Sequence, residues 1–444
     1  MKRIILSMVI ISALLFNGSG ASADVATGSF VITGSGYGHG VGLSQIGAKA
    51  QALAGKSAAE ILGYYFPGTQ VLPVADSNLI RVNVGHQLTN ATVALEKGVP
   101  DSTFQLLSGE AVQGIPTPAD STSSLGIFNY GTSIKFSLVG KQIQATIPKS
   151  KVRSAISVGS SLFTLRWSGT ESLAGPAAVV VVNGVSTSIR LHYGQVQLRA
   201  VAITGVGYRI EISDSMRLHD EYLYGISEVS SSWPIAALQS QVIASRTYAL
   251  SRMGRVRREC DCQIYNSKYD QSYIGYAKEA EPRYGKLWKA AVDQTAADPA
   301  TGDAIFYQGK LIKVYFFSSS GGMTQRSQDV WGTAFPYLTN VPDPWSLDPI
   351  FNPNYSHWSR TVTQEVMAAA FGLPDVVRYE VKARSASNSV ISVIGYSITG
   401  TSKILSVGDF KVRVKLPSSW FDSPTPTPTP TLTSTPSPQP TTSS

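Results

Sequence analysis

From about residue 73 to residue 208 the chain is a succession of short apolar runs, and this feature most limits its possible folds. The runs at 79–84, 91–95, 134–138, 143–147, 162–167, 177–182 and 195–203 are rich in Val, Ile and Thr. Gly, Asn, Asp or Ser separates them. β-branched side chains suit a pleated, half-buried surface, and short runs with turn residues between them suit antiparallel neighbours. The stretch therefore predicts an antiparallel β region. It offers no catalytic pattern, and His86 and His192 are expected to be ordinary polar positions.

The period changes on both sides of this stretch. Before it, Ser57-x-x-Glu60 forms a capping box ahead of Ile61, Leu62 and Tyr65, and Pro67-Gly68 stops the helix. After it, Tyr222 to Ile226 reads as the end of a strand. Ser230 to Ser232 then offer caps, and Pro234 suits the first turn of a helix. Leu238, Val242, Ala249 and Met253 follow at helical spacing and predict one buried stripe, with Gly254 ending the helix. A helix is expected over 283–295, a strong strand over 311–317, a helix over 364–371 and three strands ending about Phe421. The fold class is α+β, with extensive antiparallel β structure and a few helices.

The N-terminus sets the compartment. Lys2 and Arg3, an apolar run over 4–16 and Ala21-Ser22-Ala23 follow the order of a secretory signal peptide, and the run is short for a bilayer span. Cleavage is expected after Ala23, and no later stretch is apolar enough to cross a membrane. The mature protein is thus read as secreted, and then soluble or cell wall-associated. The formal charge of +8 falls to +6 without Lys2 and Arg3, a balance suited to a polyanionic surface. No basic cluster interleaved with aromatics occurs, so nucleic acid is not expected as a partner.

The two cysteines, Cys260 and Cys262, close a small ring, bind metal with outside ligands, or stay reduced. An oxidising compartment favours the disulfide. With no His near them, neither a metal nor another cofactor is expected. The tail from 422 to 444 is Pro, Thr and Ser, which cannot build a core and reads as an extended spacer.

Three blocks carry a family resemblance. The first is Asp220-Glu-Tyr-Leu-Tyr-Gly-Ile-Ser-Glu228, followed by Trp233-Pro234 and a helix ending Ala244-Ser-Arg-Thr-Tyr-Ala249. The second is Tyr315-Phe-Phe-Ser-Ser-Ser-Gly-Gly322 with Asp329-Val-Trp-Gly332 behind it. The third is Gly36-Tyr-Gly-His-Gly-Val-Gly-Leu-Ser-Gln45. Together they resemble the SpoIID/LytB family of peptidoglycan-acting proteins, and Cys262-Gln-Ile-Tyr265 is similar to that family's C-Q-V-Y loop. Two departures stand out. The G-H-G-V-G block lies near the N-terminus instead of after the S-S-S-G-G block. Glu228-Val-Ser230 replaces the usual E-M-P. The first departure looks like a circular rearrangement and predicts that residues 36–45 fold back against Glu228. The resulting division is a signal peptide over 1–23, a G-H-G-V-G segment over 24–72, a β-rich region over 73–208, a SpoIID/LytB-type core over 209–421 and the tail.

The resemblance implies a lytic transglycosylase acting on peptidoglycan glycan strands, with Glu228 as its acid. Glycosidic cleavage needs a carboxyl held protonated to protonate the leaving oxygen. Ile226, Val229 and Trp233 beside Glu228 would raise its pKa by desolvation, whereas a nearby helix N-terminus would lower it. A hydrolase wants a second carboxylate, for which Asp220, Glu221 and Asp329 are the candidates. A transglycosylase manages with one, because the muramic acid's 6-hydroxyl attacks the anomeric carbon. Substrate-binding candidates are His39, Gln45, Arg246, Tyr248, Ser318, Ser319, Ser320, Gly321, Gly322 and Asp329. Glycines allow close backbone approach, and hydroxyls and amides bond sugar groups. Trp233, Tyr248 and Trp331 offer faces for stacking. Arg246 equally suits a buried ion pair, Tyr248 a core position and Ser318 to Ser320 a turn. The alternative function is a non-catalytic enhancer of a cell-wall amidase, as LytB-type members are. A third reading, prompted by the tail, is a wall-anchored spacer.

Overall fold

The computed structural model describes residues 28–96, 99–149, 154–184 and 188–422. The expected signal peptide, and the tail beyond Asp422, lie outside them. Strand makes up 38% and helix 20% of the chain, and the strands pair almost wholly antiparallel, so the fold is α+β.

The β-rich region forms two sheets. One has the strand order Ile156–Ser160, Gln142–Ile147, Ser133–Val139, Asn90–Leu95, Val180–Asn183, Ile189–Leu191. The other runs Ile264–Tyr265, Leu79–Leu88, Gly207–Arg217, Gln195–Ile203, Leu162–Trp167, Thr103–Ser108, Ser124–Asn129. Alternation along the strands explains the pairing. Ile134 and Phe136 point inward from Ser133–Val139 while Lys135 and Ser137 stay in water. Phe136 meets Phe163 of the second sheet at 5.6 Å between ring centroids, closing a core between the sheets. Leu162–Trp167 and Gln195–Ile203 occur as expected from sequence. The long strand Gly207–Arg217 was not read from sequence, because its Glu211, Ser213 and Asp214 interrupt any apolar run yet are buried.

Three helices complete the main core. We label them α1 (Gln45–Leu53), α2 (Ala58–Tyr65) and α3 (Ile235–Leu250). The capping box of α2 is formed: Ser57 Oγ accepts from Glu60 N–H, and the Glu60 carboxylate accepts from Ser57 N–H. The expected single stripe on α3 is corrected, since residues 237, 238 and 240–249 are all buried and the helix is enclosed on every side. It ends at Leu250, short of Gly254, and Pro234 is its N-cap in place of the serines. Residues 222–226 do not end a strand. The backbone tightens into a π-helical turn over Leu218–Tyr222 after Gly207–Arg217 finishes. The expected strand over 311–317 survives only at Lys310–Leu311 and Phe316–Phe317. Between them the backbone turns to other partners, Ile312 N–H to Ile305 O and Tyr315 O to Leu43 N–H.

A second, smaller core joins the two ends of the described chain. Strand β1 (Ser29–Ser35) pairs with Trp358–Thr363 on one side and with Trp420–Phe421 on the other. Phe30, Ile32, Phe371, Tyr379, Val393, Phe410 and Phe421 fill this core. Among the described residues no helix is long and apolar enough to cross a membrane.

Candidate functional site

Glu228 lies in the turn between the π-helical segment and α3, half-buried. Three contacts hold this turn. The Ser272 N–H donates to Glu228 Oε1 at 2.5 Å. The Gln45 side-chain amide donates to the Glu228 carbonyl at 3.4 Å, and buried Lys278 donates through Nζ to the Val229 carbonyl at 2.8 Å. Burial pushes the Glu228 carboxyl above its usual pKa, and the Ser272 N–H opposes this without cancelling it. The desolvation expected from sequence is thus present, and the opposing group is the Ser272 N–H. Tyr222 packs close enough for Glu228 to help raise the phenol's pKa, behind burial as the main cause, and its hydroxyl donates to Gln271 at 2.6 Å.

Gln45 is the first residue of α1, set there by Ser44, whose Oγ accepts from Gly47 N–H. Its amide also donates to Gln241 Oε1 at 3.1 Å, and Gln241 donates on to Ser245 Oγ at 3.2 Å. All three are buried, so α1 and α3 are joined beside Glu228 by a dry amide chain. Residues 36–46 are stitched to the serine–glycine loop. Tyr37 and Ser319 exchange backbone hydrogen bonds, Ile46 N–H donates to Ser318 O, and Leu43–Ser44 pairs parallel with Phe316–Phe317.

The remaining expected site residues divide clearly. Ser318 is half-buried beside α1, and Gly321 and Gly322 are half-buried against Trp420 and Leu347. Ser319 and Ser320 are fully buried, which corrects the expectation that they meet a ligand. The Ser320 hydroxyl donates to Asp343 Oδ2 at 2.7 Å and fixes the loop. Arg246 is likewise fully buried, against Asp76 at 2.8 Å and the Thr295 and Asp303 carbonyls. A guanidinium enclosed in this way joins elements and cannot touch a glycan. Tyr248 donates to Asp270 Oδ1 at 2.7 Å within a cluster with Arg252 and Arg257. Asp329 is held by Arg326 through two bonds of 2.9 Å. Asp220 and Glu221 are held by Arg217. The three candidates for a second carboxylate are therefore engaged elsewhere.

His39 stands apart from the Glu228 turn, in an aromatic cluster with Tyr315, Phe317 and Trp331 at centroid distances of 6.2, 5.6 and 5.0 Å. Its Nδ1 accepts from Val41 N–H. Burial, with Lys411 adding to it, lowers its pKa to about 4, so the ring is neutral at neutral pH. Trp331 leaves nearly half its surface open. Lys49 lies 5.6 Å from the centroid of half-buried Trp233.

Sequence reasoning missed Ser272, Lys278, Gln241 and Gln271. Gln241 lies on the helix between Trp233-Pro234 and Ala244. Ser272 and Gln271 reach Glu228 and Tyr222 from the segment after Cys262–Tyr265, and Lys278 reaches the Val229 carbonyl from the short helix Tyr276–Glu279. The loop that leads to Ser272 is tied down by a Cys260–Cys262 disulfide, the outcome the oxidising compartment favoured. Among the described residues no cluster of His, Cys, Asp and Glu has the arrangement to hold a metal.

Residues 209–300 match the family model described as SpoIID, stage II sporulation protein. The chain is 32% identical over 126 residues to an uncharacterized protein of Brachyspira hyodysenteriae, covering 28% of this chain and 31% of that one. It is 26% identical over 194 residues to the amidase enhancer of Bacillus subtilis, covering 40% and 25% respectively. It is 28% identical over 134 residues to stage II sporulation protein D of Bacillus amyloliquefaciens, covering 28% and 38%. The chain therefore spans well under half the length of these curated relatives. No solved structure matches it. The matched segment holds the Glu228 turn, α3 and the disulfide loop, and over it the chain is similar to the SpoIID family and to the amidase enhancer.

Proposed function

We propose that the protein acts on the bacterial cell wall as a lytic transglycosylase, with Glu228 as its single acid and base. The observation that carries this reading is a half-buried carboxyl, raised in pKa by desolvation and oriented by the Ser272 N–H. Asp220, Glu221 and Asp329 are paired with arginines, which leaves Glu228 without a second carboxylate from among them.

In this scheme the Glu228 carboxyl gives its proton to the glycosidic oxygen as the bond from the anomeric carbon breaks. The carboxylate then takes the proton of the muramic acid's 6-hydroxyl as that oxygen closes on the anomeric carbon. One proton leaves and one returns, and no water is consumed. The Ser272 N–H supports the carboxylate in the middle of the cycle. Ser318, whose carbonyl accepts from Ile46 N–H on the helix that Gln45 begins, stands on the α1 side of this turn, and Trp233 offers a face to a sugar ring.

The second reading is a non-catalytic enhancer of a cell-wall amidase. The similarity to the amidase enhancer favours it, since that match covers 40% of the chain, more than the sporulation-protein match does. Mass analysis of products from purified, peptide-stripped peptidoglycan separates the two. Wild-type protein is expected to release anhydromuramyl ends, and Glu228→Gln to release none. Glycan binding without product from wild-type protein sinks the enzymatic reading and leaves the enhancer.

A further inference from the structure

A cavity of about 260 Å³ opens where the small core meets the serine–glycine loop. Arg384, Asn388, His357, Trp420, Asp422 and Gly321 are among its walls. It lies outside the segment matched by the family, apart from the Glu228 turn, and its shape depends on glycine. A Cβ on Gly321 would stand 2.1 Å from Trp420 Cγ, and one on Gly34 would stand 2.2 Å from the Trp420 carbonyl oxygen. Those glycines let Trp420 lie flat as an apolar wall, with Nε1 anchored to Ser387 O at 3.0 Å.

The charges in this cavity are incompletely matched. Arg384 is half-buried, and two of its donors reach the Asn388 and Phe421 carbonyls, both at 2.9 Å. A guanidinium has five N–H donors, so these bonds fix its plane and leave others free. Among the described residues no carboxylate lies within ion-pairing distance of Arg384. Asp422, on the same cavity, is exposed, and its side chain accepts from the Thr33 hydroxyl at 2.9 Å. It too has no cationic partner among the described residues. A fixed cation and a separate anion share one small cavity against an indole.

We propose that this cavity binds the free-ended terminus of a short peptide, with its carboxylate on Arg384 and an ammonium on Asp422. A planar carboxylate matches a guanidinium fork, and the pair is stronger where water is partly excluded. The volume falls just below the ~300–1,000 Å³ of pockets for drug-sized ligands, which favours one or two amino-acid residues. Peptide stems of the cell wall and free amino acids or dipeptides share this chemistry. Naming the wall as the source rests on the function proposed above; the chemistry of the cavity does not.

The test is an NMR titration of the full chain with alanyl-alanine, following the Arg384 Nε–H and Trp420 Nε1–H signals. Parallel titrations use its C-terminal amide, its N-acetyl form and a disaccharide-peptide released from cell wall. Alanyl-alanine is expected to move both signals, and amidation to weaken binding about tenfold or more through the lost charge-assisted bonds. Tighter binding of the disaccharide-peptide assigns the wall as source, and equal binding assigns free peptide. Arg384→Gln should abolish binding, but it also removes two backbone contacts and lowers stability. Asp422→Asn therefore serves as the second variant, and should make the free and N-acetylated dipeptides bind alike. No signal change with any probe at about 10 mM, where a ligand of millimolar Kd would saturate, overturns the proposal. So does equal binding of the acid and the amide. Glu228→Gln should bind the dipeptide as wild-type does, so loss of glycan cleavage and loss of peptide binding are read separately.

Discussion

At Glu228 one carboxyl is desolvated by its apolar neighbours and given a single backbone donor, and the balance keeps its pKa raised. A general acid works only while protonated, so the reaction rate is expected to fall as pH rises through this raised value. A pH–rate profile for wild-type protein checks this, and a flat alkaline limb would sink Glu228 as the acid. Asp214 tests burial without function. It is fully buried on Gly207–Arg217, and burial, with Glu221 adding to it, holds its pKa well above the usual range. A raised carboxyl stabilises the fold below its unfolded pKa of about 3.9 and loses that contribution as pH rises through the folded value. Asp214→Asn should therefore flatten the loss of stability toward alkaline pH. Melting temperatures from about pH 4 to about pH 9 show this, and an unchanged slope refutes it. His39 works in the opposite direction. Its lowered pKa means that stability is present above its unfolded value and lost as pH falls toward about 4.

Among the elements, α1 matters most because Gln45 at its start reaches the Glu228 turn. Its approach to α2 depends on Gly47, where a Cβ would stand 1.7 Å from the Tyr65 hydroxyl and 2.4 Å from Asp343 Oδ1. Tyr65 is enclosed and its hydroxyl is bonded to that carboxylate, so neither neighbour can yield cheaply. Gly47→Ala is expected to cost about 1–3 kcal/mol by overpacking and to reduce glycan cleavage as Gln45 shifts. Denaturant midpoints beside product yields test this; wild-type values in both would refute it. The disulfide acts differently. A ring closed by residues 260 and 262 restrains so little chain that its entropic contribution is only about 1.5 kcal/mol. Its main effect is local, fixing the loop that leads to Ser272.

Across the whole molecule, the two cores meet around Trp420. It is buried, its indole donates to Ser387, and Gly34, Gly40 and Gly321 all lie against it. Trp420→Ala should therefore cost about 3–5 kcal/mol and weaken both the small core and the loop that carries Ser318. Hydrogen exchange checks this: protection should fall at Ile32 and at Ser319 together. Loss confined to the small core would show that the two units are not coupled through this residue.

By itself the sequence determined the local choices. Alternation of Val, Ile and Thr dictated most strands of the two large sheets, Ser57 and Glu60 dictated the start of α2, and the motif blocks marked Glu228 and Gln45. These depend on neighbours within a few residues, where backbone preference and capping act directly. Only the tertiary structure decided which motif residues face water. Arg246, Ser319 and Ser320 stand in the same motif blocks that carry the resemblance, yet each is enclosed by partners 23 to 282 residues away. Burial is set by what packs from elsewhere in the chain. For the same reason the Ser272 donor beside Glu228 and the cavity between Arg384 and Asp422 had no counterpart in any local pattern, whereas the apolar neighbours of Glu228 already pointed to desolvation.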